Sequence, residues 1–395
     1  MKDTHRSFFR DERLRRMLWV CMAWMFAAPS LSAQARVAEN VVYGMYSGLA
    51  LLMDVHHPAE PNGKGLIWIF GSAWQAPTTY GAWQLKQLGV QPPIFLDVGY
   101  TVFVINHRAA PRFRYPAWVE DVQRAVRFVR YNAERYGIDP DQLGGWGGSS
   151  GGHLISMLAT MDGHGDPDDS DPVNRESAKL QAVVAQAGVF DFAETADQYG
   201  DFLSPLIDAA DYREGSPITY VTPDDPPLLL IHGDADPAVP FQQSELMLAA
   251  LEEQGVETRL IRIPGGRHGA NDVPETVRWL NRHLLGDARA EALESIIEAT
   301  VPRAITVSSE ILVDYVGTYE FPPGVDLVVT LEDNYLMVGR TGFPKSQFFA
   351  ESETNFFSGR NQQLEFVRGD DGIVTHLVLQ NRGIEITAPR KSNDG

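Results

Sequence analysis

Chemistry is most concentrated in Gly144 to His153, GGWGGSSGGH, where two serines stand among glycines. A Ser in G-x-S-x-G between a strand and a helix sits on a strained tight turn. The flanking glycines let the backbone bend until the hydroxyl is held out at the sheet edge, ready for nucleophilic attack. Two registers satisfy the pattern: Ser149 between Gly147 and Gly151, and Ser150 between Gly148 and Gly152. The favoured register is Ser149, because a small residue and a double glycine then open the helix and Ser150 supplies a backbone N–H that can face an oxyanion. The pattern alone is weak, and context carries it. Leu143 to Trp146 can close a strand, and Ser150 to Thr160 can form a helix with Leu154 and Leu158 on one face.

A serine nucleophile needs a base and a group to orient it, and on a strand–elbow–helix scaffold the acid and the His follow the Ser in that order. After an apolar strand at Leu228 to Ile231 comes HGDADPAVP. Asp236 opens D-x-x-V-P, where the chain bends away, and is the candidate acid. Asp234 is the local alternative, although a carboxylate there suits a turn or cap better. After the next strand, Ile263 to Gly269 is a glycine-rich loop carrying His268. Among the ten His, this one alone follows the acid on a loop that can reach the elbow. His153, four residues after Ser149, runs along the helix and reads as a structural hydrogen-bonder.

These groups need a scaffold that brings distant segments to one sheet edge. Gly65 to Phe70 and Thr101 to Asn106 are near-continuous apolar runs of strand length, typical of strands buried on both faces of a parallel sheet. Ala182 to Gln186, Pro227 to His232 and Thr258 to Ile263 are further strands. Helical patterns lie between them at Trp118 to Tyr136, Gln242 to Gln254 and Val273 to Leu285. Two short runs around Tyr46-Ser47-Gly48 predict an opening hairpin. Alternation of this kind predicts an α/β domain over residues 36–286, with helices on both faces of a mostly parallel sheet. Residues 192 to 223 carry little regular pattern and many aromatic and acidic side chains, which suits a cover over the site. A linker at 287–307 then leads to short alternating runs at 308–390, separated by turn signals, which predict a small all-β, barrel-like domain.

The chain has 395 residues, 44% hydrophobic and 22% charged, an ordinary globular composition with room for one large domain and a smaller one. Its formal charge of −19 repels phosphate backbones, so nucleic acid is not an expected partner. Residues 1–35 read as a secretory signal peptide. Arg13, Arg15 and Arg16 precede an apolar run from Met17 to Ala28, too short to span a bilayer, and Ala33-Gln34-Ala35 offers small residues for cleavage. A secreted or periplasmic protein without a membrane segment is therefore expected, with an uncleaved anchor as the alternative. Cleavage would also remove Cys21, the only cysteine, which excludes thiolate catalysis and Cys-ligated metal. The five aspartates between Asp162 and Asp171 lack EF-hand spacing and read as a solvated loop. No metal or other cofactor is called for.

The ordered set of Phe70-Gly71-Ser72-Ala73-Trp74, His107-Arg108, Tyr115-Pro116, Glu120-Asp121, WGGSSGGH, HGDADPAVP and GGRHG resembles the α/β-hydrolase esterases of the hormone-sensitive-lipase and bacterial feruloyl/acetyl-xylan esterase type. The resemblance covers residues 45 to 285. It implies an α/β-hydrolase fold and a serine carboxylesterase (EC 3.1.1.-) acting on a small-molecule or polysaccharide-linked ester through an acyl-enzyme. It also implies that Phe70 to Trp74 is the oxyanion loop, with Ser72, Ala73 and Ser150 as N–H donors and Trp74 against substrate. The usual motif reads His-Gly-Gly-Gly or His-Gly-Gly-x-Trp, so Phe70 in place of the His, and Ser72 and Ala73 in place of glycines, are departures. Backbone donors survive such changes if the loop does not demand positive φ at Ser72 and Ala73. Residues 308 to 390 are similar to the lipocalin-like β-barrel appended to serine hydrolases of the penicillin-binding-protein type, which suits contact with substrate or a second copy of the chain. Two other readings share the fold: a serine peptidase of prolyl-oligopeptidase type, and a non-catalytic carbohydrate or cell-envelope binder.

Overall fold

The computed structural model describes residues 35–75, 94–300, 305–321, 325–332, 334–341, 345–358, 362–381 and 384–391. The expected signal peptide and Cys21 lie outside them.

The chain opens with a hairpin, β1 (Arg36–Tyr46) and β2 (Leu49–His57), turned by Ser47 and Gly48 with both φ values positive. There follow β3 (Gly65–Ile69), β4 (Thr101–Ile105), β5 (Leu143–Gly148), β6 (Ala182–Gln186), β7 (Leu228–Gly233) and β8 (Thr258–Ile263). They form one sheet in the order β1-β2-β4-β3-β5-β6-β7-β8. β2 pairs antiparallel with both β1 and β4, and every other pairing is parallel. The continuous apolar runs are explained by burial on both faces, since nearly every residue of β3 to β7 is buried. One face is covered by α1 (Ala117–Tyr131), α2 (Ser150–Thr160) and part of α3 (Phe192–Leu203), together with α4 (Gln242–Glu253), whose Trp118, Leu154, Phe192 and Met247 share a core. The other face is covered by α5 (Val273–Leu285), through Val277, Trp279 and Leu280. This is the α/β architecture expected.

Two expectations change. The stretch beginning at Phe192 is a regular twelve-residue helix, capped by Asp191, whose carboxylate accepts the Ala193 and Glu194 N–H groups. The segment taken as a linker is helical at Asp287–Ala292 and Glu294–Thr300, and Ile297 is fully buried in the core shared with α5. The buried Arg108 ties the β4–α1 connection together, bonding Asp121 and Glu120.

The C-terminal domain holds β9 (Gly317–Phe321), β10 (Val325–Glu332), β11 (Tyr335–Arg340), β12 (Ser346–Ala350), β13 (Asn355–Ser358), β14 (Gln362–Arg368), β15 (Val374–Asn381) and β16 (Ile384–Pro389). Each pairs antiparallel with the next in chain order. The first and last meet, since Lys391 N–H donates to Thr318 O at 2.9 Å, which nearly closes the barrel. Tyr315, Tyr319, Phe356 and Phe366 fill its interior.

Candidate active site

Ser149 stands between β5 and α2 with φ 56° and ψ −124°, a conformation L-residues rarely adopt. Close packing holds it there. A Cβ on Gly147 would lie 2.2 Å from the Gly151 carbonyl, and one on Gly151 would lie 2.0 Å from the Ile69 carbonyl. Those are the two glycines of the Ser149 register. Gly148, which the Ser150 register would require, has ordinary room at 3.4 Å from Gln186. The elbow is therefore built around Ser149. Ser150 is the first residue of α2 and is buried.

Loops at the C-terminal edge of the sheet deliver two further side chains to this hydroxyl. His268, on the loop after β8, has Nε2 2.9 Å from Ser149 Oγ and Nδ1 2.8 Å from Asp236 Oδ2. Asp236 follows β7, and its side chain is fully buried whereas that of His268 is 31% exposed. Burial opposes ionisation of Asp236, but hydrogen bonds from His232, His268 and the Ala238 and Val239 amides outweigh it, holding the carboxyl well below its usual range. A charged carboxylate thus orients an imidazole whose other nitrogen faces a hydroxyl. Asp234 faces elsewhere, accepting from Gly265 N–H and pairing with Arg262. It is a turn carboxylate.

His153 is fully buried. Its Nε2 donates to Gly215 O at 2.7 Å and its Nδ1 accepts from Trp74 Nε1 at 3.3 Å. Burial pushes it down to about 4, against the smaller opposing effect of the Gly215 bond, so the ring is neutral. Trp74 was expected against substrate, and it borders the cleft. It is 2% exposed and packs on Trp118, His153 and Phe192, so it anchors the loop and only contributes to the wall of the cleft.

The oxyanion loop also departs from expectation. Of the two positions where a positive φ was expected to be absent, Ser72 has none but Ala73 sits at φ 55°, followed by Trp74 at 53°. The turn is held by Gln75 N–H on Ser72 O and Ala110 N–H on Trp74 O. Ser72 N–H is already engaged: it donates to Ser150 Oγ at 2.9 Å. Among the described residues the Ala73 N–H has no acceptor, and the Ser150 N–H belongs to the first turn of a helix, where no intrahelical partner exists. Ala73 and Ser150 are therefore the available pair. Gly71 lets this loop touch the elbow, since a Cβ there would lie 2.8 Å from Ser149 Cβ.

Ser149 and His268 open onto a cleft of about 340 Å³. Its apolar walls come from α3, through Tyr199, Phe202 and Leu203, and from Val189, Val239 and Pro240. One contributor was missed in the sequence, and another was expected as a cover but not as a helix. His232 was read as the end of an apolar strand, although it stands four residues before the candidate acid. The α3 segment was expected over the site, and its helical form was signalled only by Asp191 and Glu194, a capping pair at the right spacing. Among the described residues no group of His, Cys, Asp or Glu is arranged to hold a metal ion.

The BD-FAE family profile matches residues 53–251, and a profile described as a domain of unknown function (DUF3471) matches residues 301–390. The chain is 31% identical over 216 residues to Esterase LipQ of Mycobacterium tuberculosis, covering 50% of each protein. It is 32% identical over 220 residues to that organism's probable carboxylic ester hydrolase LipM, covering 52% of this chain and 49% of the relative. The chain thus spans about half the length of these curated relatives. Among solved structures it is similar to a truncated form of a carbohydrate esterase from gut microbiota, at 28% identity and TM-score 0.53, covering 69% of this chain and 98% of that one. It is also similar to an acetyl ester-xyloside bifunctional hydrolase from Caldicellulosiruptor lactoaceticus, at 25% identity and TM-score 0.51, covering 68% and 98%.

Proposed function

The chain belongs to the BD-FAE family, and from that premise we propose that it is a serine carboxylesterase whose nucleophile is Ser149. His268 Nε2 takes the Ser149 proton as Oγ attacks the ester carbonyl. Asp236 holds the ring by Nδ1 and stabilises the imidazolium that forms. The developing oxyanion is met by the Ala73 and Ser150 N–H groups, the second at a helix N-terminus where negative charge is favoured. Ser72 joins them only when its bond to Ser150 Oγ opens. His268 then returns the proton to the departing alcohol, leaving an acyl group on Ser149, and water activated by the same ring releases it.

The observation that carries this reading is the pair of contacts on His268, 2.9 Å to Ser149 Oγ and 2.8 Å to Asp236 Oδ2. A fluorophosphonate, which reacts only with an activated serine, tests it: labelling and p-nitrophenyl acetate turnover in the wild type, both absent in Ser149→Ala and both present in Ser150→Ala. Faster turnover of aminoacyl p-nitroanilides than of esters would make it a peptidase. No labelling at all would leave a binding protein.

The substrate reading is a small acyl group carried on a carbohydrate. Support comes from the small apolar cleft and from the two similar structures, a carbohydrate esterase and an acetyl ester-xyloside bifunctional hydrolase. Comparing acetylated xylan and methyl ferulate with p-nitrophenyl acetate decides it. Export is inferred from residues 1–35, and N-terminal sequencing of the exported chain should begin at Arg36.

A further inference from the structure

Two histidines reach the same oxygen of Asp236. His268 Nδ1 lies 2.8 Å from Oδ2, and His232 Nε2 lies 3.1 Å from the same atom. His232 closes β7, is fully buried and packs against Phe241. Its Nε2 meets acceptors only, the Asp236 carboxylate and the Val239 carbonyl at 3.2 Å, so that nitrogen carries a hydrogen. Its Nδ1 lies 2.8 Å from the hydroxyl of Ser244, a buried residue in the first turn of α4. In the neutral ring, Nδ1 accepts that hydroxyl's hydrogen. The two acceptors place the hydrogen on Nε2, and Ser244 holds the other end of the ring.

We propose that His232, locked by Ser244, is a positioning residue for the ester hydrolysis assigned above: it holds Asp236 Oδ2 against His268 and restrains the basicity of the carboxylate. The inference rests on that assignment. Asp236 Oδ1 is fixed by the Ala238 and Val239 amides at 2.8 and 3.1 Å. Without His232, Oδ2 would have only the partly exposed His268 as donor, and the carboxylate could pivot away from it. When His268 gains a proton, its bond to Oδ2 becomes charge-assisted, and a more basic carboxylate would stabilise the imidazolium too early. A second, permanent donor on Oδ2 opposes this. Other charged or titratable groups on the surrounding elements are Glu245 in the first turn of α4, Arg259 of β8, which pairs with Glu275, Asp234 and Arg262, which pair with each other, Arg267 beside His268, and Tyr199 across the cleft.

The test uses the full chain, with rates normalised to the serine that titrates with fluorophosphonate. His232→Leu should lower kcat for p-nitrophenyl acetate about 10-fold to 100-fold with little change in KM. The acid limb of kcat/KM should move to higher pH, because a carboxylate with one donor fewer raises the affinity of His268 for its proton. His232→Gln, which can still present an N–H to Oδ2, should recover most of kcat and return the limb. Equal losses in both variants with the limb unmoved would reduce His232 to a packing residue and overturn the proposal. If His232→Leu does not fold, Ser244→Ala decides: a smaller fall in kcat with the same displacement of the limb is expected, and an unchanged profile overturns it. A wild type that neither labels nor turns over esters removes the hydrolase reading itself, an outcome separate from any of these.

Discussion

Ser150 Oγ, one residue past the candidate nucleophile, accepts the N–H of Ser72 across 2.9 Å and so occupies a donor that the oxyanion loop would otherwise offer to the substrate. The bond ties the loop after β3 to the first turn of α2. It also withholds a third oxyanion donor until it is broken, and a hydrogen bond of this kind is worth roughly 0.5–1.5 kcal/mol.

Ser150→Ala frees the Ser72 amide without that cost. The expected result is a kcat for p-nitrophenyl acetate that rises, by up to about tenfold, with fluorophosphonate labelling intact. The expectation fails if kcat falls tenfold, since the hydroxyl would then be holding the positive-φ turn at Ala73 and Trp74 in its working shape.

Gly151 and Gly148 make a matched pair on either side of the elbow. A Cβ on Gly151 would stand 2.0 Å from the Ile69 backbone, and only movement of β3 against α2 could relieve it. Gly151→Ala should therefore cost about 3 kcal/mol or more, with activity lost as the elbow opens. Gly148→Ala meets Gln186 at an ordinary 3.4 Å and should fold and turn over near wild-type rates. Urea titrations and ester assays on both variants check the contrast. Equal tolerance would mean that the register was misassigned.

The triad candidates were legible because each lies just past an apolar strand, and order along the chain fixes order around the sheet edge. The expectation for Ser72 changed because the partner of its amide is a side-chain rotamer on another element, which no spacing encodes. Helix α3 escaped notice for a different reason. Phe192, Tyr199 and Leu203 do fall on one face, at i, i+7 and i+11, but Glu194, Asp197, Gly200 and Asp201 between them make the stretch read as irregular. His232 was hidden inside LLLIHG, where a buried imidazole looks like strand.

His153 should make folding pH-dependent. It is fully buried with its proton affinity pushed down to about 4, whereas the unfolded chain protonates it near the ordinary value of 6.5. Between those values the unfolded state binds more protons, so its contribution to stability is complete above about pH 6.5 and is lost as pH falls towards 4, a change of about 3 kcal/mol. His56, His57, His107 and His283 are also shifted down, so the measurement is a difference. Every tryptophan of the described residues lies in the α/β domain, and fluorescence reports that domain's unfolding. His153→Gln is expected to be less stable than wild type at pH 8, with the gap narrowing towards pH 5. A gap independent of pH would show that His153 is not held neutral.

Phe202 gives the sharpest handle on what the cleft accepts. It lies on α3, is 42% exposed, and lines the cleft beside the fully packed Leu203, so truncating it opens space at small cost to the fold. Burial is worth about 0.8 kcal/mol per methylene, and room for two more should raise the kcat/KM ratio of hexanoyl to acetyl p-nitrophenyl ester roughly tenfold in Phe202→Ala. Val42→Ala, an equally exposed truncation on β1 away from the cleft, should leave the ratio unchanged. Because both variants truncate a similarly exposed apolar side chain, a shift confined to Phe202→Ala is a property of the acyl site and not of general loosening. An unchanged ratio in Phe202→Ala would put the acyl chain elsewhere and leave the alcohol of the ester against α3.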